Sequence, residues 1–491
     1  MRQLYFRKQH LVFSFLVLIF FLSLNSVSAQ KPAAAINGLA TDPAMKNGIM
    51  SFSLLEKNSG SIIATYNPNT SLVPASSLKI LTCAYGLKLL GADFKFKTEL
   101  QTIGAVDAEG TLKGTLILKG YGDPTLGSIL TVGSIPLAGV LSEFVSALKA
   151  KGIKKIDGQV YGDASFLSSE GIYDTWSWYD LGNYYATGIY GLNIHDNLYK
   201  LNFRQTSSGG KPKVADVTPL IPGLTFDSEV VCKGTSDNAY IYGAPGQYAL
   251  RIRGSIPPGS GNFTIKGSMP EPPLHAAQLM LNALTDAGIQ VTGQAVSSLR
   301  EPMPNGNRTV LYTHLSQKLK DIVNQTLLNS INVNTEAIMR YCGVVSQKSN
   351  YSKESVEGFK AFVSKQISDN SGFFICDGSG LSSSNCIPSL GFSRMLQELF
   401  QDEKLKDILV AALPIAGQSG TLKNYLKDSP AARNVVAKTG SMDRVRSFSG
   451  LITGRTGKEY VFSLIVNNYS CSSSEIKVKI EKFFDQLYQN I

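Results

Sequence analysis

From Gly48 to Tyr66 apolar and polar residues alternate on either side of a Lys57-Asn58-Ser59-Gly60 turn, the period of a half-buried β-hairpin. The period then changes. Leu78, Leu81, Leu87 and Leu90 recur at helical spacing, with Pro74 upstream and Gly91 at the expected stop, which predicts a buried helix over residues 76–90. Between about residues 95 and 265 the chain breaks into short Thr/Val/Ile/Tyr runs separated by Gly, Asn, Asp and Pro, of which residues 111–120 are typical; this stretch reads as mostly β. Tyr121-Gly122-Asp123 and Tyr161-Gly162-Asp163 follow similar strands, too short a likeness to define a repeat. A helix is expected over residues 275–287 and a strand over 289–292. From Leu311 to about Tyr425 the helical pattern dominates. Strand-like runs follow at 434–439, 448–453 and 460–467, and a last amphipathic helix carries Ile476, Ile480, Phe483, Phe484 and Leu487.

The simplest arrangement is an α/β (α+β) fold in which one domain, residues 36–92 and 300–491, is interrupted by a β-rich insertion, because neighbouring chain ends can accept a domain between them. Within the insertion, residues 93–165 with 265–299 and residues 166–264 are expected to form two smaller units.

At the N-terminus, Arg2, Arg7 and Lys8 precede the apolar run Leu11 to Leu24, and Val27-Ser28-Ala29 stands before Gln30. That is the pattern of an export signal, residues 1–29, cleaved after Ala29. Residues 30–35 are expected to be a loose tail, and the protein to be periplasmic or otherwise extracytoplasmic. The chain has 491 residues, is 43% hydrophobic and 17% charged, and carries a formal charge of +10. Loss of three basic residues with the signal would leave +7, a mild surplus that suits an anionic extracellular polymer. With no basic cluster interleaved with aromatics, nucleic acid is a poor partner. The six cysteines lack a Cys-x-x-Cys pair; Cys376 and Cys386, which bracket a Gly/Ser-rich loop, are the first candidates for a bridge, with free buried thiols equally open.

Three segments carry candidate chemistry. In Pro74-Ala75-Ser76-Ser77-Leu78-Lys79, a serine at a helix start and a lysine three positions later share one face, so the lysine can act as base for the hydroxyl if its own pKa is lowered. Ser146/Lys149, Ser208/Lys211 and Ser474/Lys477 have the same spacing; the Pro-Ala lead-in and the apolar helix behind it single out Ser76. Ser330-Ile331-Asn332 is read as opening an apolar helix, unlike its rival Ser368-Asp369-Asn370, which ends a helical pattern in a polar context. Lys438-Thr439-Gly440 stands at a strand end, where glycine admits a close backbone and an extended ligand could add as a strand.

In this order, Ser-x-x-Lys, Ser-x-Asn and Lys-Thr-Gly resemble the penicillin-binding proteins and serine β-lactamases. The 254 residues from Ser76 to Ser330 narrow the resemblance to the class C low-molecular-mass penicillin-binding proteins, the D-alanyl-D-alanine carboxypeptidase/endopeptidases. Gly120 to Leu126, Asn183-Tyr184-Tyr185 with Gly191-Leu192-Asn193, Asp377 to Ser382, and Leu413 to Gly417 with Gly420-Thr421-Leu422 look like the same family.

The resemblance implies a transpeptidase-like domain with an antiparallel sheet flanked by helices. It also implies that Ser76 is acylated by the D-alanyl carbonyl of a peptidoglycan stem peptide, or by a β-lactam antibiotic, and that Lys79 takes its proton. Ser330 would relay a proton to the leaving D-alanine and Asn332 would orient the substrate amide. Lys438 would lend positive potential beside Lys79 and help depress its pKa; Thr439 would bond the substrate carboxylate. With Gly440 beside them, the backbone N–H groups of Ser76 and Ser441 would form the oxyanion hole.

A β-lactamase or esterase on the same scaffold is the alternative enzyme, though no Glu-x-x-Leu-Asn lies between Ser76 and Ser330. A catalytically silent wall-binding protein is the alternative of another class. His195, His275 and His314, the histidines after the signal, adjoin no recognisable nucleophile, which disfavours a Ser-His-Asp hydrolase. No cofactor or metal is implied, and a homo-oligomer is compatible with this reading. Asp123, Asp163 and Asp377, each in a Gly-flanked turn, are expected to shape loops through their own backbone bonds.

Overall fold

The computed structural model describes residues 32–491; the expected signal, residues 1–29, lies outside them. Residues 32–40 are helical and bury Ala35, Ile36 and Leu39, so residues 32–35 are no loose tail. Their apolar side chains join the core beneath the sheet described next.

That sheet has five strands: β1 (Ile49–Glu56), β2 (Ile62–Tyr66), β3 (Val435–Met442), β4 (Val445–Thr453) and β5 (Glu459–Asn467), in the order β2-β1-β5-β4-β3. Every neighbouring pair is antiparallel. Alternation sends Phe52 and Leu54 of β1, Phe448 and Ile452 of β4, and Phe462 and Leu464 of β5 to one face, where they pack with Ile476, Ile480, Phe483 and Phe484 of the last helix, Ser473–Gln489. Ser51 and Ser53 occupy alternate positions on β1. Ser51 Oγ donates to Ser389 Oγ at 2.7 Å, and the Oγ atoms of Ser53 and Ser393 lie 2.7 Å apart. These short side chains let the helix Ser389–Leu399 sit directly on the strand.

The helices α1 (Lys79–Leu90), α2 (Leu319–Asn329) and α3 (Asn332–Gln347) share a larger apolar core with three others. Helical structure starts at Leu319, later than the periodicity predicts: residues 308–315 form a strand that pairs with Lys97–Val106. On that edge strand only His314 is buried, so burial gives no two-residue signal to read.

Leu315 is the register partner of Lys97, and Ser316 N–H donates to Phe96 O at 2.9 Å. The chain therefore departs and returns at one place. Between those points lie a seven-stranded sheet covered by the helices Leu137–Ala150 and Pro272–Asp286, and several smaller sheets, which share a separate apolar core. Asp123 and Asp163 accept from the backbone N–H of Thr125 and Ser165, as their turns predict. Asp163 also binds Lys119 and Arg308.

All six cysteines are free thiols. Of the two readings left open for Cys376 and Cys386, the structure has the free thiols; Cys386 is paired across the backbone with Phe374, and the N–H of Cys376 is given to Asn385 Oδ1 at 2.8 Å. Burial raises the pKa of both thiols.

Candidate active site

Ser76 lies in a tight 3-10 turn, Ala75–Leu78, that runs into α1. Ala75 adopts φ 44°, a left-handed conformation that costs free energy in a residue with a Cβ and is tolerated where the surroundings enforce it. The turn presents Ser76 half-buried while Lys79, one turn on, is fully buried. Lys79 Nζ donates to Ser76 Oγ at 2.8 Å and to Ser379 O at 2.6 Å. Two other segments close on this turn. A Cβ on Gly380 (φ +76°) would come within 1.9 Å of Ala75 O, and one on Gly440 within 2.5 Å of Pro74 O and 2.9 Å of Ser76 N. Only glycine allows such backbone approach.

Lys438, Thr439 and Gly440 lie within β3, which runs past them to Met442. β3 is an edge strand. The segment around Ile415 covers its outer side as far as Ala437, whose N–H donates to Pro414 O at 3.0 Å; among the described residues no strand covers it from Lys438 to Met442. Side chains alternate there: Lys438 is buried, Thr439 half-buried and Ser441 exposed. Thr439 Oγ1 donates to Thr421 Oγ1 at 2.7 Å, and Lys438 Nζ to Thr439 O at 2.9 Å.

Ser330 does not open a helix. It closes α2 at φ 61° in the left-handed region, Ile331 caps the next helix, and Asn332 is the first residue of α3. Both Ser330 and Asn332 are half-buried, and Asn332 Nδ2 donates to Tyr185 O at 2.7 Å.

Burial lowers the pKa of Lys79 to about 8, against the opposing attraction of Glu336 and Asp377. Lys438 is also lowered well below its ordinary value, by burial and then by Lys79. Burial is the chief cause for both, and the two neighbouring ammonium groups disfavour each other's charge. Burial and repulsion from Asp377 raise Glu336 to about 7.

Glu336 carries no signal of its own in the sequence beyond lying four residues after Asn332. Its carboxylate accepts from Gly378 N–H at 3.1 Å and from Ser379 N–H at 2.6 Å, and so holds the residue, Ser379, whose carbonyl receives Lys79. Asp377 accepts from Gly380 N–H at 2.8 Å, Ser382 N–H at 2.6 Å and the Trp176 indole at 2.8 Å. It shapes its loop as its turn predicts. Trp176, which the sequence reading passed over, ties that loop to the inserted half of the chain.

The arrangement can do acyl-transfer chemistry. A half-buried hydroxyl touches a buried amine of lowered pKa, and a strand edge that no other strand covers lies against the same turn.

A model of the D-Ala-D-Ala carboxypeptidase 3 (S13) family matches residues 32–490. The D-alanyl-D-alanine carboxypeptidase of Actinomadura sp. (strain R39) is 27% identical over 89% of this chain and 80% of its own. D-alanyl-D-alanine carboxypeptidase DacB of Haemophilus influenzae is 26% identical over 88% and 89%. The crystal structure of penicillin binding protein 4 (dacB) from Haemophilus influenzae superposes with a TM-score of 0.76 at 26% identity, covering 90% of this chain and 96% of that one. With the Ser76 and Lys438 segments meeting at one turn and the family matched over nearly the whole described chain, the protein belongs to the D-Ala-D-Ala carboxypeptidase 3 (S13) family, the class C low-molecular-mass penicillin-binding proteins.

Proposed function

We propose that this protein is an exported serine DD-peptidase that cleaves the terminal D-Ala-D-Ala bond of peptidoglycan stem peptides through an acyl-enzyme on Ser76. The observation that carries this reading is the 2.8 Å contact from the buried Lys79 amine to the half-buried Ser76 hydroxyl. Neutral Lys79 takes the hydroxyl proton as Oγ adds to the penultimate D-alanyl carbonyl. The C–N bond then breaks, and the proton passes by way of Ser330 to the departing D-alanine. Water adds to the ester, and the shortened peptide leaves as Oγ regains its proton. Asn332 and the edge of β3 hold the peptide extended, Thr439 bonds its carboxylate, and the N–H groups of Ser76 and Ser441 receive the oxyanion beside Gly440. Residues 36–92 and 300–491, less the strand 308–315 that pairs into the inserted sheet, form the catalytic body in this reading, and 93–165 with 265–299 and 166–264 the inserted units.

The same steps apply when the leaving amine belongs to a D-Ala-meso-diaminopimelate cross-link, which makes the protein an endopeptidase as well. A β-lactam acylates the same oxygen. The test uses purified residues 30–491. They are expected to release D-alanine from a pentapeptide, to split a cross-linked muropeptide dimer, and to gain the mass of penicillin on the peptide containing Ser76. Continued penicillin labelling of Ser76→Ala would sink the assignment, and nitrocefin turnover far faster than D-alanine release would make the protein a β-lactamase.

A further inference from the structure

The 3-10 turn Gly420–Leu422 takes no part in the acyl-transfer steps, yet it touches both α2 and β3. Gly420 adopts φ +53°, and a Cβ there would come within 2.6 Å of Leu328 O, so the turn is pressed against the last turn of α2, just before Ser330. Leu422 is buried in the core beneath the five-stranded sheet, and its carbonyl accepts from Gly417 N–H at 3.1 Å. Ile415 N–H donates to Ser419 Oγ at 3.0 Å, and Ile415 is bridged to Val436 of β3. Held from both sides, Thr421 sets its Oγ1 2.7 Å from Oγ1 of Thr439. Both threonines are half-buried.

A hydroxyl has one proton to give and two lone pairs to receive with. Thr439 gives its proton to Thr421, so that proton is not free for a ligand. The proton of Thr421 has no acceptor among the described residues, the bond from Thr439 being the one its hydroxyl makes. The pair therefore holds one proton between its oxygens and keeps one to spare, and both hydroxyls can turn without any movement of the backbone. If Thr421 turns its proton onto Thr439 Oγ1, the 2.7 Å bond survives with its direction reversed, and the proton of Thr439 is released. A donor that itself accepts a hydrogen bond is polarised and gives a stronger one.

We propose that Thr421 is a positioning residue for the terminal carboxylate of the stem peptide and acts through Thr439, a reading that rests on the proposed function, which seats that carboxylate on Thr439. As the carboxylate arrives, Thr439 turns its proton to a carboxylate oxygen and Thr421 turns its own onto Thr439 Oγ1. No hydrogen bond is given up for the one gained. Without the Thr421 hydroxyl, Thr439 has no donor to polarise it. A carboxylate only accepts, and its bonds from hydroxyls are charge-assisted, so it draws the pair into this arrangement more strongly than a neutral group does. The effect therefore falls on the preference for a leaving group that carries a carboxylate, and not on the exchange of protons between Ser76 and Lys79.

The test gives the mature chain, residues 30–491, two acyl-D-alanyl thioesters. One releases thioglycolate, which carries a carboxylate, and the other ethanethiol, which does not; kcat/KM is read from thiol release. The parent is expected to prefer the thioglycolate ester. Thr421→Val keeps the shape and is expected to lose about fivefold of that preference, the net contribution of one hydrogen bond, while Thr421→Ser, which keeps the hydroxyl, stays within about twofold of the parent. Thr439→Val is expected to lose at least as much as Thr421→Val, and the double variant no more than Thr439→Val alone, since a residue that acts through Thr439 then has nothing to act on. An unchanged preference in Thr421→Val would overturn the proposal, including the case in which both esters slow alike, which marks a structural role. Losses that add in the double variant would overturn it too, because Thr421 would then act independently of Thr439. A parent that hydrolyses both esters equally well defeats this proposal alone. A parent that hydrolyses neither, and releases no D-alanine from a pentapeptide, defeats the proposed function and this proposal with it.

Discussion

Lys79 can take a proton only while neutral, and its surroundings set how often that is so. With its pKa held at about 8 by burial, the neutral fraction grows about tenfold per pH unit below that value and saturates above it. Acylation by a chromogenic β-lactam should follow that limb. Glu336 opposes the effect of burial, since its negative charge favours the charged lysine. In Glu336→Gln the opposing charge is gone while an oxygen remains to accept the Ser379 N–H, so the part of the limb above about pH 7, where Glu336 is charged in the parent, is expected to move to lower pH with the plateau rate little changed. A limb that stays in place would show that Glu336 acts on the loop and not on the charge. Gly440 gives a steric counterpart. A methyl group 2.5 Å from Pro74 O and 2.9 Å from Ser76 N must push the nucleophile's turn or β3 aside, and displacement by about 1 Å typically costs about a hundredfold in rate. Gly440→Ala should therefore lose about 1–3 kcal/mol of stability and, in the folded fraction, acylate at least about a hundredfold more slowly; near-parental acylation would mean that the turn yields freely.

At the scale of elements, the catalytic body depends on how closely a helix can approach a sheet. Ser53 bonds Ser389 O at 2.8 Å and lies 2.7 Å from Ser393 Oγ, so Ser53→Val both removes a buried partner and adds bulk where the helix rests on the strand. A loss of about 1–3 kcal/mol in a denaturant melt is expected, with the Ser76 chemistry retained in the folded fraction; an unchanged midpoint would show that the helix simply shifts outward. Apolar periodicity foretold the hairpin of β1 and β2, the buried helix α1 and all three late strands, because each packs apolar side chains against a core. It was silent where burial is not periodic. The strand Arg308–Leu315 is mostly exposed and was read as helix. Ser330 resembles an N-cap in composition, but it ends α2 in a left-handed turn, a choice the backbone makes once α2 and α3 are both packed. Glu336 was invisible for a related reason. Its partners are backbone groups 42 and 43 residues away, and no side-chain pattern marks a backbone donor.

Across the whole molecule, the inserted half does more than hang from the sheet. It enters and leaves at one point, where Lys97 faces Leu315, yet it returns to the cleft twice: Tyr185 O receives Asn332, and Trp176 donates to Asp377. Asp377 in turn holds Gly380, whose missing side chain lets the loop press on Ala75. A continuous set of contacts thus runs from the insertion to the turn that carries Ser76. If the insertion were only an appended binding module, a small change at Trp176 would leave acylation untouched. Trp176→Phe keeps most of the apolar bulk and removes the N–H that Asp377 accepts, leaving a fully buried carboxylate short of one partner. Such a loss costs about 1–3 kcal/mol, and it falls on the loop that presents Ser379 O to Lys79. The variant is expected to lose stability of that order and to acylate more slowly than the parent at every pH. Parental acylation rates in a destabilised Trp176→Phe protein would show that the loop holds its shape without the insertion.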